Sequence, residues 1–438
     1  MTNSTSLFET AQRKGIRYFL ICFTDLFGVQ RAKLVPAPAI DQMATSGAGF
    51  AGFAAWLDMT PADPDVLAIP DANSLFQLPW QPDVAWMPAD LYTMDGQPVD
   101  QTPRLVLKRV LSQAQELGYS IRTGVECEYF LLSPDGINLS DQRDRQIKPC
   151  YDQQTLMRRF EVISEICDGM LALGWGAYQN DHEDANGQFE MNWTYADALV
   201  TADRHAFFKY MVKAIAEKHG FRATFMPKPF PHLTGNGCHV HISVWDTTGT
   251  VNLFHDPQGK LGLSTLSYQF IGGVLHSAEA LCAFTNPTIN SYKRLNAPVT
   301  TSGATWSPNT ISYSGNNRTH AIRIPDPGRF ELRLADGSAN PYLLPAAVVA
   351  AGLDGITQKR DPGQRYDNNT YTDPLPPGTV KQLPTSLLDA MRYLEQDTIL
   401  TKAMGPKFVD SYQKLKRQEW QTYNSQITPW ELENTLDC

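Results

Sequence analysis

Four short runs alternate polar and apolar residues so strictly that they leave little choice about what they form. They are Val125-Glu126-Cys127-Glu128-Tyr129, Gly187-Gln188-Phe189-Glu190-Met191-Asn192-Trp193, Cys238-His239-Val240-His241-Ile242-Ser243-Val244 and Arg329-Phe330-Glu331-Leu332-Arg333-Leu334. Side chains two apart on a strand share a face. Each run read as a strand therefore sends Val, Phe, Ile, Leu, Met and Trp into a core and turns carboxylates, imidazoles and guanidiniums outward. Set side by side, the four would make one concave sheet, apolar behind and densely charged in front. Such a face fits an anionic substrate held by divalent metal.

The 438 residues exceed one ordinary domain, so two or three are expected. Hydrophobic content of 42% and charged content of 19% describe a soluble globular chain. A net charge of −9 with no Lys/Arg run argues against a nucleic-acid surface. The seven cysteines are scattered with no CxxC pair, which predicts buried free thiols in a reducing compartment. The opening Met-Thr-Asn-Ser-Thr-Ser lacks the regions of a signal peptide, and no apolar run is long enough to span a membrane. A cytoplasmic protein is expected.

Residues 16–35 predict a β-hairpin turning at Asp25–Gly28, followed by extended runs over 65–70, 74–79 and 84–88. Prolines at 61, 64, 70, 79, 82 and 88 forbid long helices there, so residues 1–103 read as a small strand-rich domain. From Pro103 the helical period takes over. Leu107, Val110, Leu111, Ala114 and Leu117 form one stripe, and helices are predicted at 154–173, 203–219, 264–283, 341–355, 385–403 and 407–424. The stretch 361–384 reads as an exposed excursion, with Tyr371 an ordinary loop tyrosine. The fold class is α+β.

Glu126 and Glu128 repel each other on one face unless a cation lies between them. Glu183 and Glu190 flank Asn186-Gly187, a turn that could aim both inward, while His182 and Asp184 are expected to be exposed or outside the ligand set. His239 and His241 follow the glycine-rich Gly235-Asn236-Gly237, where a backbone can approach a ligand closely. Glu331 sits between Arg329 and Arg333, a metal ligand flanked by two anion clamps. Arg294, Arg318 and Arg323 add positive charge nearby in sequence. Five glutamates and a histidine suit Mg²⁺ or Mn²⁺ better than zinc, and clustered arginines with hard ions fit phosphoryl transfer. There is no P-loop and no GxGxxG motif.

Taken in order, Val-Glu-Cys-Glu-Tyr, His-Glu-Asp-Ala-Asn-Gly-Gln-Phe-Glu, Gly-Asn-Gly-Cys-His-Val-His-Ile-Ser, Asn-Ser-Tyr-Lys-Arg-Leu, Asn-Arg-Thr-His-Ala-Ile-Arg-Ile-Pro and Phe-Glu-Leu-Arg-Leu-Ala-Asp-Gly-Ser resemble the glutamine synthetase superfamily. The resemblance implies an N-terminal β-grasp domain (1–103) and a catalytic domain (104–438) with a curved antiparallel half-barrel sheet wrapped by helices. It also implies a dodecamer of two hexameric rings, with each active site shared between neighbours. Glu128, Glu183 and Glu190 match the ligands of one metal, and Glu126, His239 and Glu331 those of a second; two or three Mg²⁺ or Mn²⁺ ions are implied per site. Arg294, Arg318, Arg333 and Gly235 match positions that hold glutamate and the moving phosphoryl group, which makes the three arginines the catalytic candidates. His241, Ser243, Arg323 and Arg329 match the ATP side.

Two departures are informative. Ala51 stands where the family carries an ammonium-binding aspartate, and Asn296 where its flap carries a glutamate. The amine entrance becomes small and apolar, with Ala51, Ala54 and Ala55 among Phe50, Phe53 and Trp56. Such a pocket suits methylammonium, whose methyl group gains on the order of 0.8 kcal/mol from burial. The pattern resembles the glutamate–methylamine ligases and rhizobial-type glutamine synthetases III. Ammonia, a larger amine or polyamine, and a silent scaffold or sensor are the competing readings, and Asp58 is a stand-in acid. Tyr178 falls near a nucleotide contact of the family.

Overall fold

The computed structural model describes residues 6–298, 300–376 and 378–438. The first five residues of the opening segment, and residue 377 of the 361–384 excursion, lie outside them.

Six strands form the N-terminal sheet: β1 (Tyr18–Thr24), β2 (Gln30–Pro36), β3 (Ala48–Phe50), β4 (Val66–Pro70), β5 (Phe76–Gln77) and β6 (Val84–Tyr92). The predicted hairpin is β1–β2, closed by Asp25, whose carboxylate accepts from the backbone N–H of Phe27 and Val29 at 3.0 Å. The order is β2-β1-β6-β4-β3, with β1 and β6 parallel and β5 on β6. Alternation gives this sheet two apolar faces. Phe19, Ile21, Phe23, Ala85 and Met87 fill a small core with the helix Leu7–Lys14, while Cys22, Leu26, Leu78 and Trp86 enter the large core of the remaining chain. Trp86 stacks on Phe76 at 5.6 Å and meets Phe207 edge-on at 5.5 Å.

The rest of the chain holds the charged strands. One sheet contains β7 (Tyr119–Cys127), β11 (Ala196–Asp197), β13 (Cys238–Asp246), β14 (Tyr313–Ser314), β15 (Ile322–Arg323) and β16 (Phe330–Leu332), in the order β11-β7-β13-β16-β15-β14. A second sheet contains β8 (Tyr129–Leu132), β9 (Ala177–His182), β10 (Gln188–Trp193) and β12 (Arg222–Thr224), in the order β12-β8-β10-β9. The four runs therefore do not share one sheet. Glu128 is the corner between β7 and β8: its N–H bonds to the Gly237 carbonyl at 3.1 Å, and the chain then turns to pair with β10. The two sheets together form the curved face, and β10 packs beside β7.

The alternation works as expected on both sheets. Val125, Cys127, Cys238, Val240, Ile242, Phe330, Leu332, Phe189 and Met191 are buried behind the face. Each large side chain there contributes roughly 1.5–3 kcal/mol through removal from water. The helix Ala198–Lys218 covers this apolar side with Ala202, Ala206, Phe208, Met211 and Val212. A nearly all-apolar helix, Leu343–Thr357, packs against Thr265–His276, where a Cβ on Gly273 would lie 2.1 Å from the Ala351 carbonyl oxygen. Only glycine permits that crossing.

Three predicted long helices are each broken in two: Gln153–Arg158 with Phe160–Ala172, Thr265–His276 with Ala278–Thr285, and Leu387–Gln396 with Thr398–Met404. At the last break Asp397 caps the second piece, accepting from the N–H of Ile399 and Leu400 at 2.9 Å. The predicted helix over 203–219 begins earlier, at Ala198.

A buried ion cluster ties the N-terminal sheet to the rest. Arg104 reaches Asp71 at 2.7 Å, Asp90 at 2.9 Å and Asp203 at 3.0 Å, and the Tyr342 hydroxyl donates to Asp203 at 2.9 Å. Asp71 and Asp90 belong to the N-terminal unit, Asp203 to the helix Ala198–Lys218. Arg104 is 3% exposed and is buried together with Asp90 and Asp203, while Asp71 stays in part-contact with water.

Candidate active site

Strand alternation places Glu126 on β7, His239, His241 and Ser243 on β13, and Glu331 on β16, all on the polar side of one sheet. Register sets His239 opposite Glu126 and His241 opposite Glu331. Glu190 on β10 faces Asp181 on β9, and Glu183 follows directly on β9. Ligand atoms of Glu128, Glu183 and Glu190 lie within 4.8 Å of one another, as do those of Glu126, Glu190 and His239, and those of Glu126, His241 and Glu331. All six expected metal ligands thus converge, with Glu126 and Glu190 between the two groups. His241, expected on the nucleotide side, also joins: its Nε2 lies 2.8 Å from a Glu126 oxygen.

The charges are arranged asymmetrically. Burial, with the charges of the neighbouring acids, pushes Glu183 and Glu190 well above the usual carboxylate range. Glu128 is pushed up to about 7, mainly by burial, even though the charges of Arg294 and Arg333 and the Gly237 N–H oppose the shift. Glu331, although buried, is held down to about 2 by the charges of Arg333, His239 and His241. Arg333 contacts Glu331 at 2.5 Å and Arg323 does so at 2.9 Å. Burial, with Arg333 nearby, lowers His239 to about 4, and its buried Nε2 has no hydrogen-bond partner. Three crowded carboxyls and an orphaned imidazole nitrogen fit divalent cations, whose charge favours the ionised acids and whose coordination satisfies the nitrogen.

The glycine-rich approach is part of the site. A Cβ on Gly237 would lie 2.8 Å from His239 Nε2, 2.9 Å from Glu128 Oε1 and 3.1 Å from Arg294 Nη2, so three functional groups meet over bare backbone. Gly235 is equally constrained, with the Pro227 carbonyl 2.3 Å from where its Cβ would stand. Arg294, on the short helix Ser291–Leu295, is buried and donates to the Leu334 carbonyl at 3.0 Å. Beside Glu126 opens a cavity of about 440 Å³ lined by His241, Ser243 and Arg329, three of the residues expected on the nucleotide side. Arg323, the fourth, is held at Glu331.

Several site residues escaped sequence reasoning. Gln188 donates to Glu128 at 3.0 Å, to the Gly235 carbonyl at 3.1 Å and to Asn236 at 2.9 Å, and Asn192 donates to Glu190 at 3.0 Å. Asp181, pushed up to about 6 by burial and by Glu128 and Glu126, is a further acid beside the cluster. The cavity wall includes Tyr195 and Arg122, whose guanidinium stacks on Trp245 with 4.1 Å to the ring centroid. Tyr178 also lines it. A glycine inside a strand, Gly124, was the available signal for this opening.

Other expectations need correction. His182 takes the second of its two expected places, outside the ligand groups, and is fully buried, with Nδ1 2.8 Å from the Pro149 carbonyl and Nε2 2.8 Å from Asp144. Asp184 is also buried and accepts from Thr234 at 3.0 Å. Asp58 is no free acid, since Lys414 pairs with it at 2.6 Å. Tyr371 is exposed on its loop, as expected of an ordinary loop tyrosine. Arg318 lies on an exposed loop between β14 and β15, near enough to Arg323 for the two charges to interact. Asn296 caps its helix, donating to the Tyr292 carbonyl at 3.0 Å and the Thr385 carbonyl at 3.4 Å. Ala51 and Ala54 are exposed beside half-exposed Phe53 and Trp56, and none of the four lines the cavity beside Glu126.

A curved face with two overlapping carboxylate–imidazole groups, flanked by arginines, defines a metal-dependent site for anions. Comparison with known proteins narrows it. Residues 100–435 match the family model described as "Glutamine synthetase, catalytic domain". The chain is 60% identical over 437 residues, 100% of both proteins, to a protein named "Glutamine synthetase" from Rhizobium meliloti (strain 1021). It is 43% identical over 431 residues, 96% of each, to a "Glutamate--methylamine ligase" from Methyloversatilis universalis. A solved structure described as "GmaS/ADP complex-Conformation 1" superposes with a TM-score of 0.95 at 62% identity, covering 99% of this chain and 100% of that one. The chain belongs to the glutamine synthetase family.

Proposed function

We propose that this chain is an ATP-dependent ligase that joins L-glutamate to methylamine, yielding γ-glutamylmethylamide, ADP and phosphate. The complete six-ligand cluster, with Arg294 and Arg333 buried beside it, supports glutamate activation. The single observation that carries the amine choice is the exposed loop at Ala51 and Ala54, which offers small apolar groups in place of an acid. Asn296 has no carboxylate and uses its amide N–H groups in capping, so it is no acceptor for an ammonium proton.

Two or three Mg²⁺ or Mn²⁺ ions held by Glu126, Glu128, Glu183, Glu190, His239 and Glu331 would offset the charge of two anions brought together. The chain's own residues do the positioning. Arg294, Arg318, Arg333 and Gly235 hold glutamate so that a γ-carboxylate oxygen faces the terminal phosphorus of ATP, while His241, Ser243, Arg323 and Arg329 hold the nucleotide. That oxygen bonds to phosphorus and ADP leaves. The amine nitrogen then bonds to the γ-carbon, phosphate leaves, and the amine gives up its proton. The arginines stabilise charge gathered on the transferring oxygens.

Residues 1–103 and 104–438 act as two domains in this reading. The loop at 51–56 closes the site of a neighbouring subunit, in a homo-oligomer of two hexameric rings. Its absence from the lining beside Glu126, and the exposure of Phe53 and Trp56, support an inter-subunit role. The seven free cysteines suit a reducing cytoplasm, and among the described residues no helix is long and apolar enough to cross a membrane.

A second reading, ammonia as the amine, is favoured by the relatives at 60% identity that are named glutamine synthetase. Steady-state ATP turnover with glutamate and ammonia, methylamine, ethylamine or putrescine in turn decides between them. Methylamine is expected to give the highest kcat/KM. Ammonia in first place would sink the proposal, and no turnover with any amine would point to a silent relative. Ala51→Asp is expected to shift the ratio toward ammonia; an unchanged ratio would mean that Ala51 is not the selector.

A further inference from the structure

Behind the polar face, on the side turned away from Glu126, Glu128 and His239, three soft ligands meet. Cys127 on β7 and Cys238 on β13 are direct cross-strand partners, and His205 on the covering helix Ala198–Lys218 points between them. One ligand atom from each lies within 4.8 Å of the others, and Cys238 Sγ is 3.9 Å from His205 Nε2. Around an ion bound at about 2.0–2.3 Å, tetrahedral ligand edges run to roughly 3.5–3.8 Å. The cluster therefore needs only a small contraction. The neighbouring pair, Glu128 and Gly237, exchanges the ladder hydrogen bond at 3.1 Å, so Cys127 and Cys238 occupy a non-hydrogen-bonded position, where side chains stand closest.

Two buried thiols alone would be ordinary core. The helix opposite makes them unusual, because it sets a buried imidazole, His205, against both thiols amid the otherwise apolar contacts of Ala202, Ala206 and Phe208. Three soft donors, sealed from solvent and within reach of a single ion, make a set that a thiophilic metal fits.

We propose that Cys127, His205 and Cys238 form a closed site for a thiophilic metal ion, zinc(II) or copper(I), chemically distinct from the carboxylate cluster. Binding turns two thiols into thiolates and releases two protons to solvent, with no change of oxidation state. The ion pins β7, β13 and the covering helix together from behind. Because Cys127 lies between Glu126 and Glu128, and Cys238 adjoins His239, it fixes the spacing of the carboxylate cluster. All three ligands are sealed from solvent, so loading accompanies folding.

Production of the full-length protein in cells supplied with Co²⁺ tests the site directly. Cobalt bound by sulfur gives a near-ultraviolet thiolate charge-transfer band that carboxylate and imidazole ligands cannot give. The expected result is that band at a single equivalent per chain, surviving dialysis against a chelator that empties the carboxylate cluster, and absent in Cys127→Ala and His205→Gln. Should the variants fail to fold, the wild-type spectrum alone decides. A folded wild-type protein without the band overturns the proposal, as does recovery of Cys127 and Cys238 as a disulfide on alkylation and mass analysis. Parallel growth with Zn²⁺ or Cu⁺, followed by elemental analysis, distinguishes the two ions; retention of neither also overturns it.

Discussion

Gln188 shows how a side chain outside the ligand set can govern the ligands. Its amide holds Glu128 at 3.0 Å while bridging to the Gly235 carbonyl and Asn236. Gln188→Leu is expected to weaken Mn²⁺ binding about 10–100-fold, measured by titration calorimetry, because such partners fix ligand orientation. The carboxylates themselves set a pH dependence. Glu128, raised from 4.5 to about 7, keeps a proton in the folded chain that the unfolded chain has lost, and Glu183 and Glu190 are raised further. The metal-free protein should therefore lose stability as pH rises from about 4.5 to 7. Glu331, lowered to about 2, acts oppositely: its contribution is present above 4.5 and fades as pH falls through 2. Since metal displaces protons from the raised acids, apparent Mn²⁺ affinity should climb between pH 6 and 8, roughly tenfold per unit for each proton released. A flat profile would mean the acids are already ionised. At this scale the sequence was highly legible: a period of two assigned Glu126, His239 and Glu331 to one face. Gln188, Asn192 and Asp181 were missed because an amide or acid on a polar face looks like any solvated side chain until its partners are known.

Among the elements, the turn between Glu183 and Glu190 is held by both backbone and packing. Gly187 has φ +74°, and a Cβ there would lie 2.9 Å from Leu139. Gly187→Ala should cost about 1–2 kcal/mol from the left-handed backbone alone. Thermal unfolding would show a lower Tm, and added Mn²⁺ should restore less of it than in the parent, because the turn aims both glutamates. The sequence marked this turn correctly. It gave no sign that β7 ends at Cys127, since the alternation runs on unbroken through Tyr129 while the chain changes sheets. That break depends on the carbonyl of Gly237, more than a hundred residues away, which accepts from the Glu128 N–H. The split helices have the same origin: periodicity continues across Ser277 and Asp397, and only packing decides where an axis bends. The cavity aromatics Trp245 and Tyr195 fall just beyond the alternating runs and carried no signal of their own.

At the scale of the molecule, Arg104 fastens the N-terminal sheet to the helix Ala198–Lys218. Arg104→Met leaves Asp203 buried without a cation, Asp90 with Lys108 alone and part-exposed Asp71 unpaired, and a loss of about 3 kcal/mol is expected in urea unfolding. A change below 1 kcal/mol would show that water reaches the cluster. Nothing in local sequence announced this clamp, because its members come from four separate segments and each is unremarkable alone. The clamp has a mechanical consequence. Asp203 sits on the helix that backs the metal-bearing strands, two residues before His205, while Asp71 and Asp90 belong to the sheet that carries the Ala51 loop. This buried ion cluster thus links the helix behind the carboxylate strands to the sheet that carries the Ala51 loop, and in the proposed ring the chain acts as a lever between them. If the loop serves a neighbour, a displacement of one subunit's metal strands is delivered to the amine entrance of the next, and selectivity in a ring becomes a property that adjacent subunits share.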